Sequence, residues 1–174
     1  MRMSTSRLES LAVLILSSLL IAPVSVEAQS GRSGLQGRSP WIGFGIGAGA
    51  FSGVGGVAGH VDVGWGFGRA YLAGRLAGVT DSLACCEVTE GDRTDAAVLI
   101  GLQRVAESGV VAIVLGPAYV RGQHLDETTW GLGLEARLVK WGGRGIGPAL
   151  YVFGNLNSKD SFFGVTLGIR FGGR

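Results

Sequence analysis

The chain has 174 residues, enough for one domain, and its formal net charge is only +2. Charged residues make up 16% of the sequence and hydrophobic residues 47%, whereas soluble domains usually carry about 25% charged residues. This balance, without any run of Lys and Arg, gives no indication of a nucleic-acid-binding protein. The 32 glycines follow no Gly-X-Y period and lie inside apolar stretches, which excludes collagen and a flexible linker.

The first 28 residues have the pattern of a secretory signal peptide. Arg2 and Arg7 give a positively charged start, an apolar run covers residues 11–23, and the segment VEA ends the pattern at residue 28. This apolar run is too short for a transmembrane helix, which needs about 20 residues. We therefore expect cleavage after residue 28 and export to an oxidising compartment.

Residues 29–40 are polar and rich in Gly and Ser, which indicates a disordered lead-in. From Trp41 to Phe171, apolar residues alternate with small or polar ones, and a period of two is typical of β-strands. Eight strands are predicted, and residues 172–174 form a C-terminal tail. In chain order the strands lie at about residues 42–50, 57–67, 70–76, 96–102, 111–115, 130–138, 146–156 and 163–171.

The alternation also predicts which face of each strand is apolar. It is clearest in the last strand, whose apolar face is formed by Phe163, Val165, Leu167, Ile169 and Phe171. The facing of the seventh strand stays open, because Leu150 and Tyr151, each with the residue two further on, compete for the apolar side. Strand five is apolar on both faces, so the space that the strands enclose is expected to be dry beside it. Pro117 and Pro148 each remove a ladder donor, and we expect a bulge or a strand end at both.

The predicted links alternate in length. Those after strands two, four and six are short, at residues 68–69, about 105–108 and 142–145, whereas the link over residues 80–94 is long and charged. Strands of about ten alternating residues, joined by short turns at one end and longer loops at the other, are typical of transmembrane β-barrels.

Three features favour a membrane barrel over a soluble one. Charged strand residues fall opposite the apolar face, where they avoid lipid. The polar face is chiefly glycine, which suits the narrow lumen of an eight-stranded barrel better than a solvated surface. Aromatic residues gather near the strand ends, as in interfacial girdles. We predict one girdle from Trp41, Trp65, Phe67, Tyr71, Trp141 and Phe171, and another from Phe51, Tyr119, Trp130, Phe162 and Phe163.

The region from about residue 41 to 171 resembles the small bacterial outer-membrane barrels of the OmpA/OmpX type, and its final strand, FGVTLGIRF, looks like the aromatic-ended assembly signal of that class. The resemblance implies an all-β, eight-stranded antiparallel up-and-down barrel that spans the outer membrane. It also implies insertion by the outer-membrane assembly machinery, contact with membrane lipid and lipopolysaccharide, and loops at the cell surface. We expect the barrel to be a monomer.

Strand phase places one cluster of ionisable residues inside the barrel: His60, Asp62, Arg75, Glu135, Arg137 and Arg170. A proton or ion path is one interpretation of this cluster. We favour a paired ionic core, because buried charges persist only when paired and an eight-stranded lumen is too narrow for an aqueous channel. Gly68-Arg69 further predicts a two-residue type II′ turn, whose register brings Asp62 directly opposite Arg75 as an ion pair.

The long link contains adjacent cysteines, Cys85 and Cys86. A vicinal disulfide would be strained but is compatible with an oxidising compartment, so bridged and free thiols both stay open. The acidic residues assigned to this loop match no calcium motif and are interpreted as solvated charges: Asp81, Glu87, Glu90, Asp92 and Asp95. No metal and no cofactor is predicted.

His124 and Asp126, with Glu135 beyond, invite comparison with the outer-membrane barrels that hydrolyse lipid A using a Ser, a His and a Glu. No Ser lies beside His124, so no catalytic residue is predicted. The predicted function is a non-enzymatic integral outer-membrane barrel with a structural or surface-exposed interaction role. The alternatives are a lipid-modifying barrel enzyme, a secreted soluble barrel that binds a small apolar ligand, and a small pore.

Overall fold

Eight antiparallel strands close into a single barrel in this computed structural model, which describes residues 40–81, 92–122, 128–141 and 145–172. Each strand pairs with the next in sequence, and the last pairs with the first. The predicted eight-stranded up-and-down fold is therefore confirmed. The strands are β1 (Pro40–Phe51), β2 (Val54–Phe67), β3 (Ala70–Thr80), β4 (Arg93–Ala106), β5 (Gly109–Gly122), β6 (Thr129–Lys140), β7 (Ile146–Asn157) and β8 (Phe162–Gly172).

No helix long and apolar enough to span a membrane occurs among the described residues. The predicted signal peptide and lead-in lie outside them, apart from Pro40, which begins β1.

Glycine on the inner face makes room for large side chains in a narrow barrel. A Cβ built on Gly164 would lie 2.6 Å from the ring of Phe153, and one built on Gly64 would overlap the indole of Trp41. Both rings are buried in the lumen. In both cases the glycine and the ring are in register on adjacent strands, so small and large residues alternate to fill the core.

The same complementarity determines the facing of β7, which the sequence left open. Tyr151 and Phe153 point into the lumen, where they are 0% and 2% exposed. Leu150 and Val152 lie on the outer face. A Cβ on Gly43 would overlap the Tyr151 hydroxyl, so the inward position of Tyr151 depends on a glycine of β1.

The prediction of two aromatic girdles is wrong for four rings. Within the first predicted girdle Trp41 and Tyr71, and within the second Phe51 and Phe162, are buried inside the barrel. These rings fall on the inner phase of their strands, because the lumen of a small barrel must also be filled near its ends. The girdle residues that remain strongly exposed are Trp65, Phe67, Tyr119, Trp130 and Phe163.

The predicted hairpin between β2 and β3 is confirmed. Gly68 and Arg69 form a two-residue turn, Gly68 has a φ of +67°, and Asp62 is in register with Arg75. A positive φ at the first turn position alone is the type II′ pattern. At the opposite end, Ser52 and Gly53 also form a two-residue turn, which joins β1 to β2 and has φ values of 45° and 79°. The links at that end, where longer loops were expected, are therefore not all long.

The two prolines affect the ladders differently. At Pro117 the expected bulge or strand end is wrong, since β5 continues to Gly122 and pairs with β6 without a break. Only the ladder to β4 lapses, between the pairs Ala97–Ala118 and Ile100–Leu115, and it resumes in the same register. A missing N–H removes one ladder bond without requiring an extra residue. At Pro148 the ladder to β6 does end, at the neighbouring Ala149.

Candidate functional site

A cluster of polar and ionisable side chains lies inside the lumen, and β2, β3, β4, β6, β7 and β8 contribute to it. The six predicted members are each at most 3% exposed: His60, Asp62, Arg75, Glu135, Arg137 and Arg170. Two further members are Asp95 and Asn155, also buried. We call these eight residues the lumen cluster.

Arg137 connects most of the lumen cluster. Its Nη1 donates a hydrogen bond of 2.5 Å to Asp62 Oδ2 and another to the Tyr71 hydroxyl, and its Nη2 pairs with Glu135 Oε1. Asp62 Oδ2 also accepts a 2.7 Å bond from the indole Nε1 of Trp41. The Arg137 guanidinium lies 4.5 Å from the centre of the Tyr71 ring. Charge pairing and cation–π contact together hold this cation in a low-dielectric interior.

His60 lies between two carboxylates. Its Nε2 is 3.1 Å from Glu135 Oε2, and its Nδ1 is 4.0 Å from Asp62 Oδ1. Its ring packs against the Tyr151 ring at a centroid distance of 4.1 Å. The His60 imidazole is therefore held by packing and by its contact with Glu135. The side chains of His60 and Glu135 are both fully buried.

Arg75 corrects one prediction, because it does not pair with Asp62. Its Nη2 donates a 2.5 Å hydrogen bond to Asp95 Oδ2, and its Nη1 donates to the Leu134 carbonyl at 2.8 Å. Inward side chains that are neighbours in register both point toward the barrel axis. Long side chains in a narrow lumen can therefore reach other strands, and Asp62 binds Arg137 of β6 instead.

Asp95 corrects a second prediction. It was assigned to the charged loop, yet it lies in β4, is 1% exposed and receives hydrogen bonds from both Arg75 and Asn155. The sequence contained a signal for this position, since Asp95 alternates with Ala96 and Val98 of the same strand. Six residues separate Cys86 from Arg93, the first residue of β4, and Asp95 is the third residue of that strand.

Arg170 has a different environment from the other two arginines. No carboxylate among the described residues forms an ion pair with it, and its guanidinium lies 4.4 Å from the Trp41 ring and 5.8 Å from the Trp141 ring. The aromatic faces supply negative potential to this cation.

With Arg170 included, the lumen cluster carries three arginines and three carboxylates (Asp62, Asp95 and Glu135), so its formal charges balance when His60 is neutral.

A second ionic contact, missed by the sequence reasoning, joins the strand ends at the side of the long link. Arg93 Nε donates a 2.6 Å hydrogen bond to Asp160 Oδ2, and the Ser52 hydroxyl donates to Asp160 Oδ1. The Arg93 guanidinium also stacks 5.0 Å from the Phe51 ring. These contacts tie the β1–β2 turn and the β7–β8 link to β4.

Buried apolar side chains pack inside the lumen on both sides of the lumen cluster. Near the long link, Phe51, Val79, Val120 and Phe162 belong to one buried cluster. At the other end Val110 and Val139 pack with Ala149 and Tyr151, and Trp141 packs against them. The inner face of β5 is apolar, as expected from its sequence.

The outer face of the barrel is apolar on all eight strands. Its exposed large side chains include Ile46 (69%), Ile100 (62%), Leu102 (71%) and Leu167 (69%). Outward charges of the strands stand near strand ends, at Arg104, Arg121 and Lys140. An apolar band flanked by polar ends is the surface that transmembrane barrels present to lipid.

The described residues show no group of three or more His, Cys, Asp or Glu side chains arranged to hold a metal ion. His124 and Asp126 lie outside the described residues, as do Cys85 and Cys86. Glu135 is inside the lumen with His60 and Arg137.

No protein-family model matches the chain, and no curated protein matches it. Solved structures do. Neisserial surface protein A (NspA) superposes with a TM-score of 0.62 at 12% identity, covering 78% of this chain and 97% of that one. Ail, the attachment invasion locus protein of Yersinia pestis, gives 0.55 at 12% identity, covering 78% and 98%. A de novo designed transmembrane β-barrel gives 0.50 at 9% identity, covering 79% and 96%.

The closed eight-stranded barrel and these superpositions define the class of the protein: it has the fold of the small outer-membrane barrels of the OmpA/OmpX type. At these identities the likeness concerns the fold alone.

Proposed function

We propose that this chain is a non-enzymatic integral protein of the bacterial outer membrane, with a structural or surface-exposed interaction role. The observation that carries the proposal is the apolar outer face, which covers all eight strands of a barrel whose ionic groups are turned inward. A soluble barrel would bury its apolar side chains and expose its charged ones. Here the distribution is inverted, as expected for a barrel solvated by lipid.

The proposed surroundings follow from this distribution. The apolar band contacts membrane lipid, and the end with the long link over residues 81–92 faces the exterior, where lipopolysaccharide is the expected lipid. NspA is described as a surface protein and Ail as an attachment invasion locus protein, which is compatible with a role at the cell surface. We expect a monomer inserted by the assembly machinery, with the signal peptide removed.

Burial argues against the enzymatic alternative. A hydrolase needs its base beside a substrate, whereas Glu135 is fully buried and engaged with His60 and Arg137. Apolar packing on both sides of the lumen cluster, in a barrel of only eight strands, argues in the same way against a pore.

Cell fractionation combined with gel migration of heated and unheated samples tests the proposal. We expect the protein in the outer-membrane fraction, released only by detergent, with a faster-migrating unheated band that marks a folded barrel. A monomeric protein that stays soluble without detergent would contradict it and favour the secreted soluble barrel.

A further inference from the structure

The outer face of the barrel has a groove where two glycines meet. Gly59 of β2 and Gly78 of β3 are in register, and both are on the outward phase of their strands. The groove is an open depression with a volume of about 410 Å³. Larger side chains surround it: Ile46, Val57, Val61 and Leu76.

The groove is apolar along most of its length and polar at one end. Thr80, Thr94 and Asp92 line the end nearest the long link. Thr94 is in register with Gly78 on one side and with Arg121 on the other, so the exposed Arg121 side chain stands beside the polar end. Arg121 makes no ion pair with the described residues, and it is the outward strand cation at this end of the barrel.

We propose that this groove holds one acyl chain of a phosphorylated glycolipid of the outer leaflet, with a lipid phosphate at Arg121. This inference rests on the proposed function, which places the long-link end in that leaflet. The gap spans two neighbouring strands, about 4.8 Å apart, and along the strands it is bounded by the pairs Val57–Thr80 and Val61–Leu76. It therefore accepts a short stretch of a single hydrocarbon chain.

The charge and the position of Arg121 indicate that the lipid headgroup carries a phosphate. A guanidinium binds phosphate by paired charge-assisted hydrogen bonds. The Thr94 hydroxyl is an additional donor between Arg121 and the groove. Asp92 lies at the same end and repels phosphate, which directs the phosphate to the Arg121 side of the rim.

The sharpest variant fills the groove without disturbing the barrel. A Cβ on Gly59 meets no atom within 4 Å, so Gly59→Leu places its side chain in the groove. Gly74→Leu is the matched control, because Gly74 is also an outward glycine of this hairpin and its Cβ would meet only Val63 Cγ2, at 3.7 Å. Gly78 is unsuitable, since a Cβ there would lie 2.8 Å from the Arg93 carbonyl oxygen.

Native mass spectrometry of the full chain in detergent micelles, titrated with purified lipid A, measures the site directly. We expect one tightly held lipid A per barrel. Gly59→Leu should weaken its binding roughly tenfold, the effect of losing on the order of ten van der Waals contacts, while Gly74→Leu leaves it unchanged. Arg121→Gln should weaken binding to a similar extent, and Arg104→Gln, at the other end of the barrel, should not.

Lipid A without its phosphates separates the two parts of the site. Arg121→Gln should no longer matter for this probe, whereas Gly59→Leu should still weaken binding. Equal affinities for Gly59→Leu and Gly74→Leu, or a Gly59→Leu effect on dimerisation in place of lipid binding, would overturn the proposal. Folding is checked beforehand by the unheated gel band. A folded, membrane-inserted barrel without the lipid site refutes this inference alone, whereas a barrel that never enters the membrane refutes the proposed function.

Discussion

Arg137 and Asp62 show how residues that are distant in sequence become partners in a narrow lumen. They lie on β6 and β2, and their side chains meet at 2.5 Å with no solvent exposure. The β2–β3 register makes Arg75 the neighbour of Asp62 along the sheet, but Arg75 binds Asp95 and the Leu134 carbonyl. The ion-pair partner of Asp62 is therefore determined by which side chains extend across the lumen to it, and not by which residue is opposite it in the sheet.

Removing one member of the buried pair should be costly. We expect Asp62→Asn to lower the free energy of unfolding by about 3–5 kcal/mol, because it leaves the Arg137 charge partly uncompensated and weakens the Trp41 hydrogen bond. Urea unfolding of the barrel in lipid vesicles, followed by tryptophan fluorescence, measures this loss. Arg104→Gln, which removes an exposed charge, should change stability by less than about 1 kcal/mol.

A double-mutant cycle then tests the partner assignment. The coupling energy between Asp62 and Arg137 should exceed that between Asp62 and Arg75. The reverse order would restore the in-register pair that the sequence suggested and contradict the arrangement of the lumen cluster.

The β2–β3 hairpin depends on one glycine. Gly68 has a φ of +67°, a conformation that costs other residues about 1–2 kcal/mol. Gly68→Ala should therefore destabilise the barrel by about that amount in the same urea experiment. Gly74→Ala is the control, since it lies within β3 where an added Cβ has room, and it should be neutral or slightly stabilising. Similar losses in both variants would show that strand glycines, and not the turn, limit stability.

The final strand presents different chemistry on its two faces. Phe171 lies near the short-turn end and stacks on Phe44 of β1, with ring centroids 5.8 Å apart, whereas Thr166 points into the lumen. Phe171→Ala should reduce the amount of inserted barrel, because it removes both an aromatic of the terminal strand and a contact across the closing seam. Thr166→Ala should have little effect. Quantifying the unheated band in isolated membranes compares them, and equal reductions would remove the assembly role of Phe171.

For the whole molecule, the packing of the lumen has a functional consequence. Apolar clusters lie on both sides of the lumen cluster, and an eight-stranded lumen is too narrow for an aqueous channel. We expect no sustained single-channel conductance in planar bilayers, with a porin in the same bilayer as the positive control. Stable channels from the pure protein would contradict the plugged lumen and revive the small-pore alternative.

The period of two predicted the eight strands and the inward phase of residues such as Asp62 and Arg75, and the Gly68-Arg69 turn chemistry predicted the β2–β3 hairpin. These features are local, because alternation and turn chemistry are encoded within a few consecutive residues. The facing of β7 was not encoded in this way. Both of its faces are apolar, and only the space left by Gly43 of β1 and Gly164 of β8 decides that Tyr151 and Phe153 turn inward.

Tertiary structure also decided which charges meet and which aromatics face lipid. Asp62 and Arg137 become partners only when the sheet closes and brings β2 and β6 across one lumen. Trp41 and Tyr71 stack inside the barrel at 4.2 Å, where the sequence had placed them in a girdle. Strand phase determines on which side of the sheet a residue lies. Which inward residues become partners depends on packing distances across the lumen, and the spacing of residues in the sequence carries no information about those distances.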